Sequence, residues 1–361
     1  MTVHGVCSGD DEWPFPGYLS SQQNVAWWSS GEKGFCADTP WSVGRSSEGI
    51  STMNGGKTAA GQFVHRFEHR AMATVFEVMI VDEDRKFAEG AAYAAFQEVD
   101  RLEQELSRFL PNSDIARINN LPPKGSVRIG TDAFQCLRLS VQYWNETKGT
   151  FDVTTGSLVD CWVGKDKSLL APTAEQLGQA RSRTGMNLLE LDESSMSVRV
   201  HEGVPRIDLG AIGKGYAVDV AVGLLKEWGV TSALIHGGSS SAYAFGNNPN
   251  GIGWPVTLSN PQNPLEVLEK VSLKEKALGG SGIRKGRHII DPRSGQPVIG
   301  RRAAWVCSDS AAGSDAYSTA LMVMRQEEIA AFVKGCGGMW AMTIDEEPAT
   351  GTGRVVRFGA I

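Results

Sequence analysis

The chain has 361 residues, 41% hydrophobic and 21% charged, an ordinary globular composition long enough for one large domain or two small ones. A net charge of −6 with no Lys/Arg cluster argues against nucleic-acid binding. No stretch approaches the ~20 apolar residues that span a bilayer, and the first 30 residues lack a basic segment followed by an apolar core. As written, the expectation is a soluble, cytoplasmic protein without an export signal; export or membrane association stays open if the start is misplaced. The six cysteines form no C-x-x-C pair and no zinc spacing, so they read as buried or idle thiols.

Residues 1–62 are rich in Gly, Ser, Trp and Asn and show no steady hydrophobic period. They are expected to form a poorly ordered tail, with the organised domain over residues 63–361. Thr74–Asp82 reads as a strand rich in β-branched residues. Ala88, Ala91, Ala95, Val99, Leu102 and Leu106 recur at steps of three and four, so a long helix is expected from Arg85 to Arg108, with Pro111 ending it. A second helix is expected over 132–147, with Phe134, Leu137, Val141 and Trp144 inward and Gly149 closing it. Further helix follows Pro172 within 165–190, and residues 197–209 alternate as strands.

The stretch 206–246 reads strand (Arg206–Leu209), Gly-rich turn (Gly210–Gly213), helix (Lys214–Trp228), strand (Ser232–His236), Gly-Gly turn and strand (Ser241–Phe245). Short strands fill 254–308, one helix is expected over 314–334, and strands at 339–345 and 354–359 complete the chain. Strands and helices mix without strict βαβ alternation, which makes the fold class α+β.

Five phrases have chemical potential. In Asp208-Leu-Gly-Ala-Ile-Gly-Lys-Gly-Tyr-Ala-Val-Asp219, glycines permit close backbone approach, the helix start favours an anion and Lys214 adds a full charge, a combination suited to a phosphate. It is neither a P-loop, which needs Gly at 208 and Ser or Thr at 215, nor a G-x-G-x-x-G, which needs Gly at 218. Asp315 and Thr319 are four residues apart and share a helical face, where a carboxylate and a hydroxyl suit a hard cation; alone they also read as a helix-start Asp and an idle Thr. His288 and Asp291 flank a turn and could handle protons. Thr150–Gly156 and Met72-Ala73-Thr74 have no intrinsic meaning by themselves.

In this order the phrases resemble the ApbE family of FAD:protein FMN transferases. The resemblance runs through Met72-Ala73-Thr74, Phe109 to Asn119 and Phe151 to Leu158. It continues through Asp208 to Asp219, Gly237-Gly238, His288 to Gly295 and Asp315 to Ala320, covering about residues 66–345. It departs at Ala73, where Gly is usual, and at Ser239–Ser241, where an acidic or amide residue and an aliphatic one are usual; the segment before His288 is also short.

The resemblance implies an ApbE-like, T-fold-like α+β architecture with mixed sheets and helices and FAD held between two lobes. It implies Mg²⁺ bound by the Ala211 carbonyl, Asp315 and Thr319. It implies an FAD site formed by Met72, Phe109, Thr150, Phe151, Asp152, Asp208, Lys214, His288 and Ile289, with Phe109 against the flavin ring. Asp315, His288 and Lys214 are the candidate catalytic residues. The implied reaction cleaves FAD, joins FMN to a Thr or Ser of an acceptor protein (a redox or membrane protein with a short surface motif) and releases AMP. An FAD pyrophosphatase, with water as acceptor, and a non-catalytic FAD-binding protein are the alternatives.

Overall fold

The strand expected at Thr74–Asp82 forms with those bounds and lies inside a broad sheet. The computed structural model describes residues 41–43 and 63–360, apart from 165, 167, 285, 287 and 348–352. Of the tail expected over 1–62, all but Trp41–Val43 lies outside the described residues.

The first half runs β1 (Trp41–Val43), β2 (Phe63–Ala71), β3 (Thr74–Asp82), α1 (Arg85–Leu106), α2 (Asp114–Asn119), β4 (Ser126–Arg128), α3 (Thr131–Glu146), α4 (Gly156–Trp162), α5 (Ala174–Ser182), β5 (Leu189–Asp192) and β6 (Ser197–Val200). The second runs α6 (Gly213–Glu227), β7 (Ala233–Gly237), β8 (Ser241–Phe245), β9 (Trp254–Asn260), β10 (Asn263–Leu273), β11 (Lys276–Gly282), β12 (Ile290–Asp291), β13 (Gln296–Pro297), β14 (Arg301–Ser308), α7 (Ala311–Val323), α8 (Gln326–Gly335), β15 (Trp340–Glu346) and β16 (Gly353–Phe358). Eight strands form one antiparallel sheet in the order β16-β15-β14-β11-β8-β7-β3-β2. Smaller sheets join β1-β9-β10 and β4-β6-β5, and β12 pairs with β13. The fold is α+β.

Side chains alternate across a strand, so the large sheet has two apolar faces. Phe76, Val78 and Ile80 join the core beneath α1, α6 and α7. Met79 and Val81 join Trp254, Val256 and Leu258 of β9 on the other face. Burial on both faces is why β3 reads as a continuous apolar run rather than as an alternation. No helix among the described residues is long and apolar enough to cross a membrane.

The β2–β3 hairpin closes through Met72 and Ala73, both at positive φ (48° and 56°), between the paired Ala71 and Thr74. Such two-residue turns favour Gly because a Cβ is strained there, so the cost of Ala73 lies in its backbone angle. α1 starts where Asp84 accepts from the amides of Lys86 and Phe87.

The structure departs from the sequence reading in several places, among them helices at Asp114–Asn119 and Gly156–Trp162 that were not expected. Arg206–Leu209 is not a ladder strand; it makes one parallel bridge, Thr155 to Arg206, and Asp208 N–H donates to Val153 O. Within 197–209 only Ser197–Val200 pairs as a strand. The helix expected over 314–334 is two helices, α7 starting earlier at Ala311 and ending at Val323, and α8 beginning at Gln326. The break carries no Gly or Pro. Locally, Glu328 accepts from Arg325 N–H at 2.8 Å to start α8; from a distance, the Arg301 guanidinium, paired with Asp345 at 2.5 Å, donates to Leu321 O and Met324 O and so satisfies the carbonyls that end α7.

Candidate active site

α7 is wedged between α6 and β11. A Cβ at Gly215 of α6 would run into the Ala311 carbonyl, and one at Gly279 of β11 into the backbone of Ser314. Two glycines therefore let three backbones touch. The Asp219 carboxylate then caps α7, accepting from Ala311 N–H at 2.7 Å and Ala312 N–H at 2.9 Å. Negative charge at a helix start and the Arg301 cation at its end both suit the helix dipole.

This seating buries Asp315, which is 4% exposed. Its Oδ2 accepts from Gly215 N–H at 2.9 Å and from Ser241 Oγ at 2.6 Å. Its Oδ1 is buried and has no hydrogen-bond partner among the described residues. Burial pushes the Asp315 pKa up to about 7, against the opposing pull of Lys214, Ser241 and the Gly215 amide. Burial also raises Asp219, to about 6.

Asp315 opens onto a cleft of about 290 Å³. One side is the turn into α6, with Asp208, Gly210, Ala211 and Lys214. Asp208 Oδ1 accepts from Gly210 N–H at 2.9 Å, and Lys214 Nζ donates to Gly210 O at 3.1 Å, which ties the turn down. Thr150, Phe151 and Asp152 also line it, on the segment joined to that turn by Asp208 N–H donating to Val153 O at 2.7 Å. Phe151 is 1% exposed, and burial raises the Asp152 carboxyl while Thr154 holds it through its amide at 2.7 Å and its hydroxyl at 2.5 Å. Thr319 and Ser281 lie beside Asp315.

The rim carries His288 and Ile289 ahead of the β12–β13 hairpin. His288 is exposed, and its Nδ1 lies 2.8 Å from Gly286 O. A carbonyl only accepts, so that contact puts the neutral ring's proton on Nδ1 and makes Nε2 the basic nitrogen.

Ten of the twelve site residues implied by the resemblance thus line one cleft, although they come from distant segments; Asp291, also singled out for proton handling, does not line it. Met72 and Phe109 do not line it. Met72 sits in the β2–β3 turn, its N–H donating to Glu103 Oε2 at 2.8 Å. Phe109 is 78% exposed beneath the Arg108 guanidinium, which pairs with Asp208 of the cleft at 3.2 Å. Sequence reasoning missed Ser281, Arg284, Pro261 and Thr155, which also line the cleft. For Ser281 a signal existed: Gly279, Gly280 and Gly282 inside a strand mark the close approach of another backbone.

The family model described as ApbE family matches residues 72–342. The chain belongs to the ApbE family. It is similar to the FAD:protein FMN transferase of Klebsiella pneumoniae (strain 342), with 25% identity over 294 residues, 77% of this chain and 83% of that protein. It is also similar to the FAD:protein FMN transferase of Vibrio cholerae serotype O1, with 28% identity over 247 residues, 64% of this chain and 73% of that one. The apo form of the Pseudomonas stutzeri flavinyl transferase ApbE matches with a TM-score of 0.73 and 26% identity over 82% of this chain and 95% of that chain.

The donor set fits the divalent cation that this family resemblance implies. Among the described residues no three His, Cys, Asp or Glu side chains cluster to hold a metal. The cleft is instead lined by Asp315, whose Oδ1 has no partner, by Thr319 and by Ala211, residues that could together supply a sparse all-oxygen set. Mg²⁺ accepts such sets because it keeps waters and substrate phosphates in its shell.

Proposed function

We propose that this chain is an Mg²⁺-dependent FAD:protein FMN transferase, with FAD as substrate and a Thr or Ser hydroxyl of an acceptor protein as the group modified. The observation that carries the reading is the buried, unpartnered Oδ1 of Asp315, at a cleft lined by the Lys214 turn. A carboxylate kept dry without a partner is costly unless a cation or proton meets it. The names of the similar proteins supply the substrate class.

In this reading the acceptor oxygen attacks the FMN-side phosphorus of the pyrophosphate. A new P–O bond forms, the bond to the AMP phosphate breaks, and AMP leaves with the electron pair. A bound Mg²⁺ supplies electrostatic relief of the charge that builds on the phosphate oxygens. Asp315, Thr319 and the Ala211 carbonyl would hold it. Lys214 adds a positive charge at the same turn. His288 Nε2, on the rim, takes the proton of the acceptor hydroxyl. The acceptor is read as a redox or membrane protein that offers its Thr or Ser in a short surface motif.

The test is incubation with FAD, MgCl₂ and candidate acceptor proteins, reading AMP release together with flavin fluorescence that survives denaturation. Fluorescence on the acceptor and equimolar AMP are expected. AMP and free FMN without labelled protein would make it an FAD pyrophosphatase. FAD binding with neither product would make it a binding protein.

A further inference from the structure

Behind the proposed cation site lies a row of hydroxyls whose hydrogens have only one consistent arrangement. Ser318 Oγ is 2.9 Å from the Asp315 carbonyl oxygen. A carbonyl cannot donate, so the single Ser318 hydrogen is spent there. Ser281 Oγ lies 2.9 Å from Ser318 Oγ, and with Ser318 committed, Ser281 must be the donor of that bond. Ser281 Oγ is also 2.9 Å from Thr319 Oγ1. Having given its hydrogen to Ser318, Ser281 accepts there, and Thr319 donates. The chain therefore runs one way, from Thr319 through Ser281 and Ser318 to the Asp315 carbonyl.

The same logic holds on the other side of the carboxylate. Ser241 donates to Asp315 Oδ2, so at its 3.3 Å contact with Ser240 it is the acceptor. Asp315 Oδ2 is filled by Ser241 and Gly215, which leaves Oδ1.

We infer that Ser281 and Ser318 are positioning residues that turn Thr319 Oγ1 into a pure electron-pair donor toward the cleft, pre-set for a hard cation and unable to donate to a phosphate. The inference rests on the cation reading of the previous subsection and names what orients its neutral ligand. With its hydrogen aimed backward, Thr319 offers lone pairs beside Asp315 Oδ1. This wall then meets the pyrophosphate only through an interposed cation. Ser318 is fully buried and does not line the cleft, so its hydroxyl serves the site through Ser281. Ser281 belongs to a strand whose neighbouring Gly279 admits α7, which is what brings its oxygen to the helix.

The experiment is Mn²⁺ binding by the full chain in the presence of FAD, read by electron paramagnetic resonance. The set is wild type, Ser281→Ala, Thr319→Val and the double variant, with FAD affinity and melting temperature measured in parallel. Groups behind a metal ligand typically matter about 10-fold in affinity, so Ser281→Ala is expected to weaken Mn²⁺ by roughly 10-fold with FAD affinity retained. If Ser281 acts through Thr319, adding Ser281→Ala to Thr319→Val changes nothing further. Independent losses that multiply in the double variant, or a Ser281→Ala protein that binds Mn²⁺ like wild type, overturn the hydroxyl chain and leave the cation reading standing. A wild type that binds no Mn²⁺ overturns both. Should Ser281→Ala not fold, Ser318→Ala takes its place. It leaves Ser281 in contact with Thr319 but frees the direction, so a loss of a few-fold supports the chain and unchanged affinity overturns it.

Discussion

Asp315 and His288 line the same cleft under opposite conditions. Asp315 is 4% exposed, sits on a helix capped by Asp219, and has one oxygen held by two donors. His288 is exposed, lies outside any helix or strand, and has its Nδ1 on a carbonyl two residues back. A group that must hold a cation in one place gains from rigid, dry surroundings, where electrostatic interactions are strong. A group that must meet the hydroxyl of an incoming protein has to be reachable from solvent. The cleft thus has a built wall and an open rim, and the two should fail differently when altered.

The largest effect is expected at the built wall. Asp315→Ala should lower AMP release by at least ~100-fold, scaled from the loss of one stabilising group in other electrostatic sites, and abolish its Mg²⁺ dependence. His288→Ala should also lower transfer but leave Mn²⁺ affinity near wild type. Activity across an Mg²⁺ titration, with binding measured separately, checks both. Normal FAD cleavage by Asp315→Ala in EDTA would remove the metal assignment, and loss of cation affinity in His288→Ala would erase the division between wall and rim.

Next comes the seating of α7. Gly215→Ala drives a methyl group into the Ala311 carbonyl, whereas Gly223→Ala on the same helix meets no atom within 4 Å. Overpacking of this kind costs about 1–3 kcal/mol, while Ala for Gly in a helix with open space gains up to about 1 kcal/mol. Urea unfolding of the two variants should move in opposite directions. Equal behaviour would mean that backbone contact does not set the position of α7.

The smallest effect is a pH slope. Asp315 is raised to about 7 in the folded chain, whereas an unfolded Asp ionises near 3.9. Between those values the native state holds the extra proton, so the contribution of Asp315 to metal-free stability is greatest below about pH 4 and falls as pH rises toward 7. Asp219, raised to about 6, contributes with the same sign. Asp315→Asn should therefore shift the pH dependence of the melting temperature in EDTA, gaining relative to wild type as pH rises from 4 to 7. A slope identical to wild type would show that Asp315 is not held in the dry state described.

Much of this molecule was legible along the chain. The bounds of β3, α1 and α6 follow from local periodicity, capping and turn chemistry, which act within a few residues. Ten residues that line the cleft were legible because their short phrases keep the order and the chemistry of the family resemblance. The tertiary structure alone decided the rest. The break between α7 and α8 has no Gly or Pro; Glu328 accepts from Arg325 N–H to start α8 locally, but the carbonyls that end α7 are met by Arg301, a residue twenty or more positions away. Ser281 enters the site because β11 lies against α7, and Arg206–Leu209 stays out of the sheet although its pattern suits a strand. Which oxygen of Asp315 is filled, and which way the Thr319 hydrogen points, depend on Gly215, Ser241, Ser281 and Ser318 arriving from separate elements. Local signals record what a segment prefers, but a hydrogen bond is settled only when both partners are in place.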